Sequence, residues 1–146
     1  MAENALEDAD YALESGPGIG VLTVELAKRS KKTLAIELDE RLKPVLSETL
    51  AEYDNVEVVF GDAMKLDLKS IINEKFDGKK VSVCANLPYY ITSPIIMNLL
   101  ESRLPFSSIT VMVQKEAAER SPLLPSCIMY ASGPELPVPS VPAVRP

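Results

Sequence analysis

Histidine does not occur anywhere in the 146 residues. Its absence excludes Ser-His and Cys-His nucleophilic mechanisms, and any histidine-ligated metal site with them. Cysteine is scarce as well: Cys84 lies in an apolar run, Cys127 in a proline-rich tail, and neither has metal-ligand spacing. A reduced, cytoplasmic setting with no metal is the expectation. The acidic start, Met1–Asp10, has no apolar signal core, and no run approaches the length of a membrane span. Basic residues are also in short supply, with 15 Lys and Arg against 21 Asp and Glu and a net charge of −6. A nucleic-acid binder needs Lys and Arg to neutralise phosphate. If RNA is the substrate, its basic surface is therefore expected to be local or to lie on a part this chain lacks.

What is present reads as one globular domain, 47% hydrophobic and 25% charged. Short β-branched apolar runs predict strands at Tyr11–Ser15, Thr33–Glu37, Val56–Phe60, Val81–Asn86 and Ile109–Val113. Amphipathic stretches predict helices at Val21–Ser30, Glu40–Tyr53, Lys65–Glu74 and Ser93–Ser102. Such alternation implies an α/β fold with a parallel sheet covered by helices on both faces. Ligand sites in these folds gather beyond the carboxyl ends of the strands. After Arg120 the rhythm stops: Pro122, Pro125, Pro134, Pro137, Pro139, Pro142 and Pro146 are seven of the chain's 12 prolines. Residues 1–10 read as an acidic lead-in, 11–120 as a partial catalytic domain, and 121–146 as an extended or disordered tail.

Glu14-Ser-Gly-Pro-Gly-Ile-Gly-Val-Leu-Thr23 follows the first strand and opens a helix. Gly16, Gly18 and Gly20 permit a tight turn and let a ligand approach bare backbone, with the helix N–H groups pointing at it. The dinucleotide fingerprint wants a third glycine where Val21 stands, and no Gly-Lys-Ser/Thr follows, so a pyrophosphate is disfavoured. Glu14, a carboxylate before the glycines, suits a ligand carrying an ammonium group, such as S-adenosyl-L-methionine. Glu37 ends the second strand, where a carboxylate can accept both ribose hydroxyls. Asp62 follows the third strand and can accept from an adenine amino group, with the Ala63 backbone reading the ring nitrogens. Singly, each acid has a plainer role, and Asp39 and Asp62 both precede helical stretches as caps do. Three acids at three successive strand ends form the pattern adenosine needs.

Asn86-Leu-Pro-Tyr-Tyr90 ends the fourth strand. An exocyclic adenine amine is a poor nucleophile because its lone pair is delocalised into the ring. Hydrogen bonds from its N–H groups to the Asn86 side-chain oxygen and the Leu87 carbonyl would rehybridise nitrogen toward a usable lone pair. Pro88 makes the turn rigid and offers no competing N–H. Tyr89 gives a flat face to a base taken from its stack, worth roughly 1–3 kcal/mol. The plainer alternative is a turn whose tyrosines cover the core. The methylation chemistry needs no histidine, thiol or metal, because a sulfonium is already an activated electrophile.

These segments, with Ala35-Ile-Glu-Leu-Asp39, Gly61-Asp-Ala63, Ile91-Thr-Ser-Pro94 and Met112–Arg120, resemble the rRNA adenine N6,N6-dimethyltransferases. That family modifies adjacent adenosines near the 3′ end of small-subunit rRNA. The resemblance runs in the family's order over about Leu13 to Arg120. It implies an S-adenosyl-L-methionine-dependent, Rossmann-like methyltransferase sheet. Gly16, Gly18, Glu37, Asp62 and Ala63 would hold the cofactor, while Asn86, Leu87, Pro88 and Tyr89 would hold the target adenine. The partner implied is the small ribosomal subunit. Erythromycin-resistance methylases of large-subunit rRNA share the layout, whereas DNA adenine methylases have Pro-Pro after the Asp or Asn, against Leu87 here. Ser15 departs from the family, which places an apolar residue there. The family's Gln-Asn-Phe-Leu segment before the first strand is absent, as are its final strands and its helical RNA-binding domain. The sheet is thus expected to be incomplete and the chain truncated at both ends. Ile109–Val113 becomes an exposed sheet edge, and the tail is non-homologous sequence of the kind a frameshift produces. A binding-only remnant and a nicotinamide-dependent enzyme are the competing readings. Val21 and the lack of a proton-shuttling pair weigh against the second.

Overall fold

The computed structural model describes residues 10–86, 94–95, 97–99, 101–113 and 128–131. Five expected strands form: β1 (Tyr11–Ser15), β2 (Lys32–Glu37), β3 (Val56–Phe60), β4 (Val81–Asn86) and β5 (Phe106–Val113). A sixth, β6 (Ile128–Ala131), joins them in one sheet of order β3-β2-β1-β4-β5-β6, with every pair parallel. The chain leaves β1 toward β2 and β3, then returns to lay β4 on the other side of β1. That reversal makes the β1–β4 crevice the switch point of the sheet.

Helices α1 (Val21–Arg29), α2 (Lys43–Thr49) and α3 (Leu68–Phe76) supply the crossovers, and residues 94, 95, 97–99 and 101 are helical too. The expected helix over Glu40–Tyr53 is shorter than its periodicity suggested. A 3-10 turn at Glu40–Leu42 opens it, Pro44 stands in the first turn of α2, and the helix ends at Thr49. Pro44 costs nothing there, because its missing N–H would have had no helical partner. Helix α3 begins later than expected because Asp67 caps it, accepting from the Ser70 N–H at 3.2 Å and the Ser70 hydroxyl at 2.7 Å.

Side-chain alternation divides the core in two. On one face Leu13, Leu34, Ile36, Val83 and Val111 pack against Ile72 and Phe76 of α3 and against Ile95 and Leu99. On the other, Ala12 and Cys84 pack under Leu26 of α1. That second face also carries Glu14, Thr33, Ser82 and Thr110, all buried. The small residues Ala12, Ala35 and Cys84 leave α1 room to lie close.

Two expectations at the β5 edge change. The strand begins at Phe106, not Ile109, because a bulge accommodates one extra residue: Val81 faces Phe106 but Ser82 faces Ser108. Ser82 answers with hydrogen bonds to both Ser107, at 2.9 Å, and Ser108, at 3.1 Å. Nor is β5 the sheet edge, since Thr110–Val113 pairs with β6. Ile128-Met-Tyr-Ala131 is a β-prone island between Pro125 and Pro134, so proline density across the tail as a whole concealed it. The other residues read as tail lie outside those described.

Candidate active site

Strand register brings three of the predicted site residues to one level. Ser15 pairs with Ile36 on one side and Ala85 on the other, so Gly16, Glu37 and Asn86 are the next residues at three adjacent strand ends. Adjacent strands lie about 4.8 Å apart, so these three residues converge at the switch-point crevice. Glu37 in turn pairs with Phe60, which places Gly61 and Asp62 just beyond the next strand.

The glycine loop takes backbone angles that only glycine adopts cheaply. Gly16, Gly18 and Gly20 have φ of 77°, 59° and 92°. The loop is tied to the sheet by the Gly16 N–H, which donates to the Ile36 carbonyl at 3.0 Å. A turn closes it, the Gly20 N–H donating to the Pro17 carbonyl at 2.9 Å. Gly20 caps α1 without a side chain, so the first N–H groups of that helix remain available to a ligand. A Cβ built on Gly18 meets nothing within 4 Å, whereas one on Gly20 meets Thr49 and Leu46. Gly18 therefore faces open space, and Gly20 faces packed protein.

Glu37 is buried and holds the loop from below. One oxygen accepts the Gly18 N–H at 3.1 Å and the other accepts the Asp39 N–H at 2.9 Å. Each carboxylate oxygen has a second lone pair, which suits a ligand presenting two neighbouring hydroxyls. Asp39 is occupied otherwise: both its oxygens take the Arg41 guanidinium at 2.8 Å, and it caps the 3-10 turn. That bond and the accompanying charge hold the Asp39 carboxyl below its usual range.

Glu14 is only 1% exposed, on the sheet face under α1. Its oxygen accepts the Thr23 hydroxyl at 2.6 Å. Burial pushes this carboxyl up from its ordinary 4.5 to about 7; the Thr23 bond opposes that rise and the nearby Glu37 charge adds to it. A cation arriving beneath the loop would draw Glu14 fully into its charged form. The Glu14–Thr23 bond was invisible to sequence reasoning, which assigned Glu14 to the ligand and Thr23 to no role. The nine-residue spacing spans a strand end, a loop and a helical turn, and no periodicity reports on it.

Asp62 divides its carboxylate. One oxygen accepts the Met64 N–H at 2.9 Å, as a capping acid does, and the other lies 3.9 Å from the Lys65 ammonium. Among the described residues no hydrogen bond takes up the Ala63 N–H. Ile19, Val21, Leu38 and Met64, all exposed, give the strand ends an apolar rim that the sequence reading did not single out. Asn86 is placed by its backbone at the end of β4, and Leu87, Pro88 and Tyr89 lie outside the described residues. Among the described residues no group of three His, Cys, Asp or Glu could hold a metal ion, and no helix is long and apolar enough to cross a membrane.

Comparison with known proteins gives this geometry its family. Residues 2–126 match the family described as ribosomal RNA adenine dimethylase. The chain belongs to that family. The match takes in the glycine loop, all three strand-end acids and Asn86–Tyr90. Ribosomal RNA small subunit methyltransferase A of Ligilactobacillus salivarius is 51% identical over 133 residues, 90% of this chain and 45% of that protein. Its namesake from Bacillus licheniformis is 53% identical over 121 residues, covering 82% and 41% respectively. Among solved structures, the 23S rRNA methyltransferase ErmE superposes with a TM-score of 0.68 at 33% identity, covering 82% of this chain and 46% of ErmE. A dimethyladenosine transferase from Plasmodium falciparum gives 0.64 at 35% identity, covering 82% and 42%. The chain thus spans under half the length of the curated relatives it matches. Its own parallel sheet is Rossmann-like.

Proposed function

We propose that this chain is the cofactor-binding and catalytic part of an rRNA adenine N6-dimethyltransferase. In this reading it takes methyl groups from S-adenosyl-L-methionine to the N6 amine of adenines in small-subunit rRNA. One observation supports it above the rest: Gly16, Glu37 and Asn86 stand level at three adjacent strand ends, beside the switch point of a parallel sheet. Gly16 and Gly18 offer bare backbone to the cofactor, Glu37 its free lone pairs to the ribose hydroxyls, and Asp62 with Ala63 the edge contacts to adenine. Glu14 supplies negative charge beneath the amino-acid end. When bound, S-adenosyl-L-methionine supplies the electrophilic methyl group. In this reading Asn86 and the Leu87 carbonyl accept the target amine's N–H bonds, and Pro88 and Tyr89 complete the adenine site, Tyr89 by stacking on the base. Orientation then carries the rate, since no residue need act as a strong base.

The small subunit is preferred over the large because the relatives at 51–53% identity carry that name, against 33% for ErmE. A cytoplasmic setting belongs to the same proposal. Transfer of labelled methyl groups to unmethylated small and large ribosomal subunits tests the reading. Label in small-subunit adenines, lost in Asn86→Ala with S-adenosyl-L-methionine binding retained, supports it. Label confined to the large subunit, or equal loss of binding and turnover in Asn86→Ala, overturns it. Cofactor binding by the wild-type chain with no transfer to either subunit favours the binding-only alternative.

A further inference from the structure

We propose that Thr23 is a positioning residue. Through its hydroxyl it orients Glu14 beneath the glycine loop and favours the ionised form, whose charge there meets the cofactor's ammonium group. This rests on the S-adenosyl-L-methionine reading above.

The geometry is unusual for a residue with only a packing role. Thr23 is fully buried in the first turn of α1, where a threonine hydroxyl ordinarily bonds within its own helix or loop. Here it reaches across to the central strand and donates to Glu14 Oε2 at 2.6 Å. Glu14 needs that donor. Its register neighbours are Ala35 and Cys84, neither offering a charge of opposite sign. The groups facing it are Thr23 from α1, Glu37 from β2 and Cys84 from β4, and among the described residues no ion pair reaches it. Glu37 and burial both disfavour the charged form, and Cys84, its thiol pushed up to about 12, stays neutral near neutral pH. Among the described residues Thr23 is the one side chain that favours ionisation, because a hydroxyl donated to a carboxylate stabilises its charged state. It also fixes which oxygen is spent, leaving Oε1 free. The central strand carries an acid where an apolar residue would cost less, and α1 carries the donor that favours its charged form.

The test uses the 146-residue chain as wild type, Thr23→Val, Thr23→Ser and Glu14→Gln. Two readouts are taken from pH 5 to 9: urea unfolding without ligand, and calorimetric titration with S-adenosyl-L-methionine. Wild type should lose stability as pH rises from about 4.5 until the loss levels off near 7, and that upper turning point is the centre compared between variants. Thr23→Val should move that centre upward, Thr23→Ser should restore it, and Glu14→Gln should remove it. At pH 7, Thr23→Val should bind roughly tenfold more weakly, as loss of a hydrogen bond to a charged group implies, with Thr23→Ser within about twofold of wild type. The Thr23→Val deficit should shrink toward pH 9, where Glu14 ionises unaided. An unmoved centre in Thr23→Val, a Thr23→Ser as weak as Thr23→Val, or a deficit constant with pH overturns the proposal. If Thr23→Val fails to fold, Glu14→Gln decides it: retained pH dependence of stability and affinity would sink the idea. A wild-type chain that ignores S-adenosyl-L-methionine at every pH overturns the functional reading itself, an outcome recognisable because no variant is needed to see it.

Discussion

Adding one methyl group at Gly18 and at Gly20 should separate ligand approach from packing within a single loop. Both glycines have positive φ, 59° at Gly18 and 92° at Gly20. The first value lies in the left-handed basin that an alanine can occupy, at a cost of roughly 1 kcal/mol. The second lies outside it, where strain reaches about 1–3 kcal/mol. Space separates them further. The Cβ of Gly20→Ala would sit 3.1 Å from Thr49 Cγ2 and 3.3 Å from Leu46 Cδ2, while that of Gly18→Ala meets nothing within 4 Å. Both neighbours of Gly20 are side-chain ends, so relief is partial and overpacking adds about 1 kcal/mol. Gly20→Ala should therefore lose about 2–4 kcal/mol of stability and Gly18→Ala about 1. Urea unfolding reads this as a large shift in midpoint for the first and a small one for the second, with unchanged slope. Binding should rank the other way. Gly18→Ala, folded, should bind S-adenosyl-L-methionine at least about tenfold more weakly, because its methyl occupies space the ligand needs. Equal destabilisation by the two substitutions would refute the packing argument. Undiminished affinity in Gly18→Ala would refute the assignment of Gly18 to the ligand-facing side.

Three further outcomes are expected. Glu14's raised pKa contributes stability that is fully present below about 4.5 and lost as pH rises through about 7. The loss amounts to about 3 kcal/mol (roughly 2.5 pH units at 1.36 kcal/mol each), measurable as a falling urea midpoint across that window. Ser15 lines a cavity with Leu13, Ile36, Ala63 and Val83, where Asn98 is the other polar residue. Ser15→Val should therefore raise stability by about 1 kcal/mol, and a fall in midpoint would show that the hydroxyl is needed. Asn55 donates to the Ala27 and Ser30 carbonyls at 2.8 and 3.0 Å, closing the carboxyl end of α1. Asn55→Ala should cost about 1–2 kcal/mol by thermal unfolding, and an unchanged melting temperature would show those bonds to be worth nothing net.

The central strands were legible because each is short, apolar and buried on both faces, so composition alone marks it. Tyr11–Ser15 and Val81–Asn86 appear with the boundaries expected of them, as does the half-buried edge strand Val56–Phe60. What failed was set by geometry between elements. The bulge opposite Ser82 lengthens β5, and it can be seen only once β4 and β5 are paired. Pro44 was read through as helix, though a proline in a first turn marks a start and not an interior. The strand Ile128–Ala131 was lost in a proline average taken over a longer window than the strand itself.

The site follows the same division. That the candidate residues Gly16, Glu37 and Asn86 stand side by side could be read from spacing, because each sits at a strand end of one parallel sheet. How each carboxylate is used could not. Glu14, Glu37, Asp39 and Asp62 are equivalent letters in sequence, yet their partners differ: a buried hydroxyl, two backbone N–H groups, an arginine, and a capping bond with a lysine at its edge. Asp39 is spent on Arg41, and Glu37 keeps a lone pair on each oxygen. Glu14, the most deeply buried of the four, has a pKa brought near neutrality. A carboxylate balanced there responds to the charge of whatever binds beside it, and a solvated acid with an ordinary pKa would not. The burial that makes Glu14 costly to the fold thus also makes it sensitive to a cation, and Thr23 sets where that balance lies.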